Sequence, residues 1–212
     1  MNIHSSLNFD SISQIIIDAG IFLDGRGWTP AHSGSVSHRL PGKYCAITVS
    51  DKHKGRLTRN DVTIVDFHGR PQDNRKPAAQ TVLHTSLYAR NLEINTVLHT
   101  NSVHSTILSL LIEDAYWDLE GYELQKALTG ISSHENRIRF PIFDNTQDVD
   151  HLAHRVNIYL RQGIPCWGYL VRGHGLYTWG KSMANALKHL EAIEYLIQCQ
   201  LEMIKIQGKR SL

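Results

Sequence analysis

The chain has 212 residues, 42% apolar and 20% charged, which is ordinary for a soluble globular protein and long enough to bury a large core as one domain over 1–212. A formal net charge of +2 is too small to argue for nucleic acid or an anionic membrane as partner, and no apolar run approaches membrane-spanning length. The three separated cysteines, Cys45, Cys166 and Cys199, and an N-terminus without a basic-then-apolar segment imply reduced thiols in a cytoplasmic setting.

In chain order, residues 10–23 carry Ile12, Ile15, Ile16, Ala19 and Phe22 at helical spacing, with Asp10 or Ser11 as cap. Gly25-Arg26-Gly27-Trp28 breaks that helix, and Ala31-His32-Ser33-Gly34-Ser35-Val36-Ser37 reads as a small-residue loop. Such a loop can turn backbone N–H groups and hydroxyls toward one point, an arrangement suited to phosphate oxygens, although plain connection is the commoner role. Residues 45–50 and 62–67 read as strands forming a hairpin-like unit around the cationic turn Asp51-Lys52-His53-Lys54-Gly55-Arg56. The polar segment 68–77 is a loop, and 78–90 an amphipathic helix with Pro77 at its first position.

The segment from Ile94 to His99 is a buried strand that delivers an imidazole to the point where a helix begins, with Ser102 as its N-cap. Positions 99 and 101 point the same way if the backbone stays extended, and 101 is Asn. The helix ends near Leu111, a mixed acidic stretch follows, and a short helix over 121–128 contains Glu123. Residues 138–143 alternate as a strand, edge or irregular because of Pro141. A helix over 147–161 and a strand over 166–171 lead to Gly173-His174-Gly175. A long helix then runs from Ser182 to about 206, and the tail 208–212 reads as mobile. Interspersed strands and helices predict a layered α/β domain.

His99 and His174 each end a strong strand, and two imidazoles at adjacent strand ends suit a divalent metal. The chain has no Gly-x-Ser-x-Gly elbow and no Walker-type or dinucleotide-type glycine loop, so serine hydrolase, nucleotidase and dehydrogenase readings lack support.

Several segments together resemble one family across nearly the full length. They are Gly25-Arg26-Gly27-Trp28, residues 34–37, Thr48-Val49-Ser50, residues 52–58, Lys76-Pro77, Leu98-His99-Thr100, Gly121-Tyr122-Glu123, residues 172–180 and His189-Leu190-Glu191. The chain resembles the class II aldolase/adducin superfamily, and the Gly-His-Gly-Leu-Tyr-Thr-Trp-Gly and Gly-Tyr-Glu segments resemble its ketose-phosphate dehydratase branch. The resemblance implies a three-layer α/β/α sandwich around a largely antiparallel sheet, assembled as a homotetramer, with zinc held by a His-x-His pair and a later histidine. Those ligands fall at His99, Asn101 and His174, so the middle one departs from the pattern; His104 is the alternative donor. The acid/base glutamate of the branch falls at Glu123. The aldolase glutamate falls at Gln80, which argues against retro-aldol chemistry, and a further phosphate-binding serine is replaced by Ala78. Gly34, Ser35, Ser37 and Ser50 are the implied phosphate ligands, joined by Lys52 or Lys54. The alternative is a catalytically impaired or non-enzymatic relative of the fold, or a related ketose-phosphate lyase of different substrate.

Overall fold

A computed structural model describes residues 9–209 of the chain. The element order is α1 (Phe9–Gly25), β1 (Ser35–Leu40), β2 (Tyr44–Thr48), β3 (Val62–Asp66), α2 (Thr81–Arg90), β4 (Thr96–Thr100) and α3 (Val103–Leu111). It continues with β5 (Tyr116–Leu119), β6 (Ile138–Phe143), α4 (Val149–Leu160), β7 (Gly168–Val171), β8 (Gly175–Gly180) and α5 (Met183–Lys209). The strands form one eight-stranded sheet in the order β3-β2-β1-β4-β8-β7-β6-β5. Every neighbouring pair is antiparallel except β6 with β7.

The period-2 alternation of the strands divides the apolar residues between two cores. Ala46, Leu98 and Leu176 face Ile16 and Leu23 of α1, Leu108 of α3 and Ile193 of α5. Their neighbours Cys45, Ile47, Val97 and Tyr177 face Leu83 and Leu87 of α2 and Leu152 and Val156 of α4. The result is the expected three-layer α/β/α sandwich. β4 lies at its centre with all five residues buried, so whatever its C-terminal end carries is held on rigid backbone.

Several sequence expectations shift. Residues 35–40 form β1, between β2 and β4, so the loop expected over 31–37 is strand from Ser35 onward: Ser35 and Ser37 are short polar residues, but the central sheet supplies partners for their backbone. The acidic stretch contains edge strand β5, and the segment after Gly175 is β8, which closes a tight hairpin with β7. Pro77 pairs with Val49 in an isolated bridge, so α2 begins only at Thr81. The short helix containing Glu123 is a 3₁₀ segment, Glu123–Ala127. Pro141 marks the irregularity it implied: residues 138–141 pair with β5, whereas Ile142 and Phe143 pair with β7. Helix α1 includes Asp10 and Ser11 and begins at Phe9, so neither is its cap. Of the tail, residues 210–212 lie outside the described residues, and α5 continues to Lys209.

Candidate functional site

The C-terminal end of β4, the β7–β8 hairpin, the loop before β1 and the turn after β2 meet in a cleft of about 230 Å³. His32, Ser33, Gly34, Ser35, Ser50, Lys54, Gln80, His99, Asn101 and His174 are among its lining residues. Two glycines make the closure possible. A Cβ on Gly175 would lie 2.0 Å from the Thr100 carbonyl oxygen, so only glycine lets β8 press against the end of β4. Gly34 has φ +75°, and a Cβ there would lie 2.8 Å from the His99 carbonyl oxygen.

His99 projects from β4 toward the α2 side, stacked on Tyr177 at 4.0 Å and 8°. Its Nδ1 donates to the Leu176 carbonyl at 3.1 Å, which leaves Nε2 unprotonated, the tautomer that a hydrogen bond to a backbone carbonyl fixes in metal-ligating imidazoles. The His174 ring is 5.0 Å away at 80°. Burial, then the neighbouring His174, holds His99 well below the usual imidazole range, and burial also lowers His174. Both rings are therefore neutral at pH 7, as metal ligation requires.

Asn101 reaches the same cleft. Its Nδ2 donates to the His174 carbonyl at 2.9 Å, which fixes the amide so that Oδ1 is buried without a partner. The Ser33 hydroxyl, also on the cleft wall, is a second buried polar atom without a partner. Orphaned polar atoms are rare in native interiors, and these two line one space, which fits a ligand. Two neutral imidazoles and an unpartnered amide oxygen fit a divalent cation, with oxygen in the third place favouring a harder ion than three imidazoles would. Among the described residues no group of three or more His, Cys, Asp or Glu side chains could hold a metal, because the third donor here is an amide.

Gln80 stands over this pair. Its Nε2 lies 3.3 and 3.4 Å from the two His174 ring nitrogens, too even for one directed hydrogen bond, and its Oε1 accepts from the Tyr177 phenol. The neutral amide thus braces His174 against the ring stacked on His99.

The opposite wall supplies donors. Gly34, Ser35 and Ser50 line it, as expected. Lys52 does not: its ammonium pairs with Asp61 at 3.1 Å, outside the cleft. The cation on the wall is Lys54, buried and donating to the carbonyls of His32 at 2.8 Å and Lys52 at 2.6 Å. Burial lowers its pKa to about 8. Period 2 alone places 52 and 54 alike; the 3₁₀ turn Lys54–Arg56, packed under α1, selects 54. Ser37 lies behind the cleft, fully buried in β1, and its hydroxyl meets His84 rather than the open space. At the mouth, His32 (φ 64°) and Asp51 (φ 57°) hold left-handed backbone, a strain that concentrates at functional sites, and His32 Nδ1 lies 3.1 Å from Asp51 Oδ1.

Two other expected residues are elsewhere. Glu123 has a side chain 71% exposed, paired with Lys126 and 3.8 Å from His134, and does not line the cleft of its own chain. The 3₁₀ segment that carries it packs on α5. His104 opens onto a separate cavity of about 620 Å³ beside Glu194, so it is not the replacement for the missing ligand. His84 was missed. It lies on α2 four residues before Tyr88, so the two polar groups share the inward face, and that spacing was the available signal.

The fold thus brings two strand-end histidines and an amide oxygen into one cleft with hydroxyls, backbone N–H groups and one buried lysine. Residues 14–201 match the family model described as Class II Aldolase and Adducin N-terminal domain, and the chain belongs to that family. It is 48% identical over 206 residues to the methylthioribulose-1-phosphate dehydratase of Pseudomonas fluorescens, covering 97% of this chain and 99% of that one. It is 49% identical over 199 residues to the enzyme of the same name from Azotobacter vinelandii, covering 93% and 97%. The L-fuculose-1-phosphate aldolase of Thermus thermophilus has the same fold, with a TM-score of 0.76 at 22% identity over 93% of this chain and 96% of that one.

Proposed function

We propose that the chain is a metal-dependent hydro-lyase that converts 5-methylthioribulose 1-phosphate to a 2,3-diketo-5-methylthiopentyl 1-phosphate and water, a step of methionine salvage, in a cytoplasmic homotetramer. The observation that carries this reading is the cleft itself, with His99 Nε2, the His174 ring and an Asn101 Oδ1 that has no partner among the described residues lining the same space as hydroxyl, backbone N–H and ammonium donors. Identity of 48% and 49% over nearly the full length to relatives bearing that name supports the substrate.

His99, His174 and Asn101 would hold the cation, and zinc is the ion proposed. When bound, it supplies Lewis-acid stabilisation of negative charge on the substrate carbonyl oxygen. The chain's own groups do the rest. Lys54, the Ser35 and Ser50 hydroxyls and the backbone at Gly34 take the phosphate, which fixes the reacting carbons relative to the histidine pair. A proton leaves the carbon next to the carbonyl, the hydroxyl of the following carbon takes up a proton and leaves as water, and the resulting enol tautomerises to the second ketone of the 2,3-diketo product. Glu123 is the group proposed to move these protons. Because it is exposed and away from its own cleft, it serves the cleft of a neighbouring copy, so the tetramer belongs to the same proposal. Gln80, an amide, cannot act as a base, which disfavours retro-aldol cleavage in this cleft.

The test is metal content of protein purified without chelators, together with dehydratase turnover after loading with zinc, iron or manganese. The expected result is bound metal and turnover, with Asn101→His raising zinc content. Absence of both metal and turnover in the wild type and in Asn101→His would overturn the enzyme reading in favour of a non-catalytic relative.

A further inference from the structure

Behind the donor wall a line of polar side chains runs from the core to the cleft. The Tyr88 phenol oxygen lies 2.7 Å from Ser37 Oγ, Ser37 Oγ 2.8 Å from His84 Nδ1, and His84 Nε2 2.8 Å from Ser35 Oγ. Tyr88, Ser37 and His84 are fully buried, and Ser35 opens only onto the cleft. The ends are rigid. Tyr88 is stacked on Phe67 at 5.9 Å with the Arg39 guanidinium 5.0 Å from its ring centre, and Tyr177 meets the His84 ring edge-on at 5.9 Å. Ser35 pairs directly with His99 across β1 and β4, so the line ends beside the histidine pair.

Four groups in series have a small number of proton arrangements, and burial selects among them. The phenol oxygen also takes a backbone hydrogen bond from Val97, whose N–H can only donate, so the phenol's own proton is left for Ser37 and Tyr88 donates to it. Ser37 then has its own proton to place, and the acceptor within reach is His84 Nδ1. The reverse tautomer, with the proton on Nδ1, would leave the Ser37 hydroxyl proton stranded in the core, a cost of the kind native interiors avoid. Burial lowers His84 to about 3, so the ring stays neutral, with one donor and one acceptor. With Nδ1 accepting, Nε2–H donates to Ser35, and the Ser35 proton has no partner among the described residues.

We infer that Tyr88, Ser37 and His84 form a buried relay that fixes His84 as the Nε2–H tautomer and turns the Ser35 hydroxyl proton into the cleft, where it serves a phosphate oxygen. His84 is a positioning residue, and the two serines have different tasks: Ser35 binds, whereas Ser37 sets the direction of the line. The inference rests on the reading of this cleft as the site of a phosphorylated substrate. A reversed relay would present Ser35 lone pairs, which repel an anion; the direction of the chain therefore decides which charge the wall accepts.

The experiment is ¹⁵N-imidazole NMR of the full-length protein, combined with titration by inorganic phosphate and with kinetics of Ser35→Ala and His84→Gln. The expected tautomer at His84 is Nε2–H, unchanged across the neutral range. Ser35→Ala is expected to weaken phosphate binding and raise the substrate KM by about ten- to a hundredfold, with kcat near that of the wild type, the size of one hydrogen bond to a charged group. His84→Gln, whose amide N–H can replace Nε2–H, is expected to retain most of the phosphate affinity. A protonated Nδ1 overturns the relay, whatever the substrate. Unchanged phosphate affinity in Ser35→Ala overturns its endpoint. Failure of the wild type to bind phosphate, with Nε2–H observed, overturns the phosphate reading of the cleft and the endpoint with it.

Discussion

Lys54 provides the sharpest test of the donor wall. Two of its three N–H groups go to the carbonyls of His32 and Lys52, and it makes no ion pair among the described residues. A buried ammonium without a carboxylate partner is costly unless a ligand anion supplies the missing charge. Lys54→Met removes the charge and keeps the length of the stem. One charge-assisted contact is worth about 1.5–3 kcal/mol, so KM is expected to rise by roughly ten- to a hundredfold, with kcat changed less. The wild-type kcat/KM should also fall above about pH 8, where the free enzyme loses this proton, and that limb should be missing in Lys54→Met. Stability moves the other way. The folded pKa of about 8 lies below the ordinary 10.5, so between those values the unfolded chain binds the extra proton. Wild-type stability, relative to Lys54→Met, should therefore rise with pH across that window, by up to roughly 3 kcal/mol. Steady-state kinetics against pH and denaturant melts at the two ends of the window measure both. An unchanged KM, or a high-pH limb that survives in Lys54→Met, would refute the placement of the anion on this wall.

Other substitutions probe the remaining parts. Glu123→Gln should lower kcat by about 10²–10⁴ and leave the melting temperature unchanged, because the side chain is exposed and contributes to no core; a kcat near wild type would remove Glu123 from the mechanism. Gly175→Ala places a methyl 2.0 Å from the Thr100 carbonyl oxygen and should destabilise the fold by several kcal/mol, to be read as a drop in denaturation midpoint; a midpoint equal to wild type would mean the β4–β8 contact yields easily. Glu194 accepts from Ser102 at 2.7 Å beneath the start of α3, and burial raises it to about 7. Between its ordinary 4.5 and 7 the folded state binds the extra proton, so stability falls as pH rises through that window. The wild type should lose up to roughly 3 kcal/mol relative to Glu194→Gln from one end to the other, and parallel stability curves would contradict the burial of that carboxylate.

Features set by chain neighbours were legible in the sequence, and features assembled from distant segments were not. The stripe of α1, the strand ending at His99, the Ser102 cap and the Gly173-His174-Gly175 turn were legible because periodicity and capping act between neighbours in the chain. The cap is observed as Ser102 Oγ accepting from the Ser105 N–H at 3.0 Å. β1 was hidden because its serines carry no strand signal; they are held by β2 and β4, which arrive from elsewhere in the chain. Lys52 and Lys54 are indistinguishable by composition, and only the packing of their turn under α1 decided which one faces the cleft.

By itself, the sequence determined the layered α/β class, the histidine at the end of the central strand and the second histidine in its glycine-flanked turn. The tertiary structure alone decided that Asn101 Oδ1 is left without a partner beside them, that Ser37 faces His84 instead of the cleft, and that Glu123 stands apart from its own chain's site. The physical reason is range. Helical and strand periodicity are written in residues a few positions apart, whereas a hydrogen bond such as Asn101 to the His174 carbonyl joins groups 73 positions apart and exists only once the sheet has assembled.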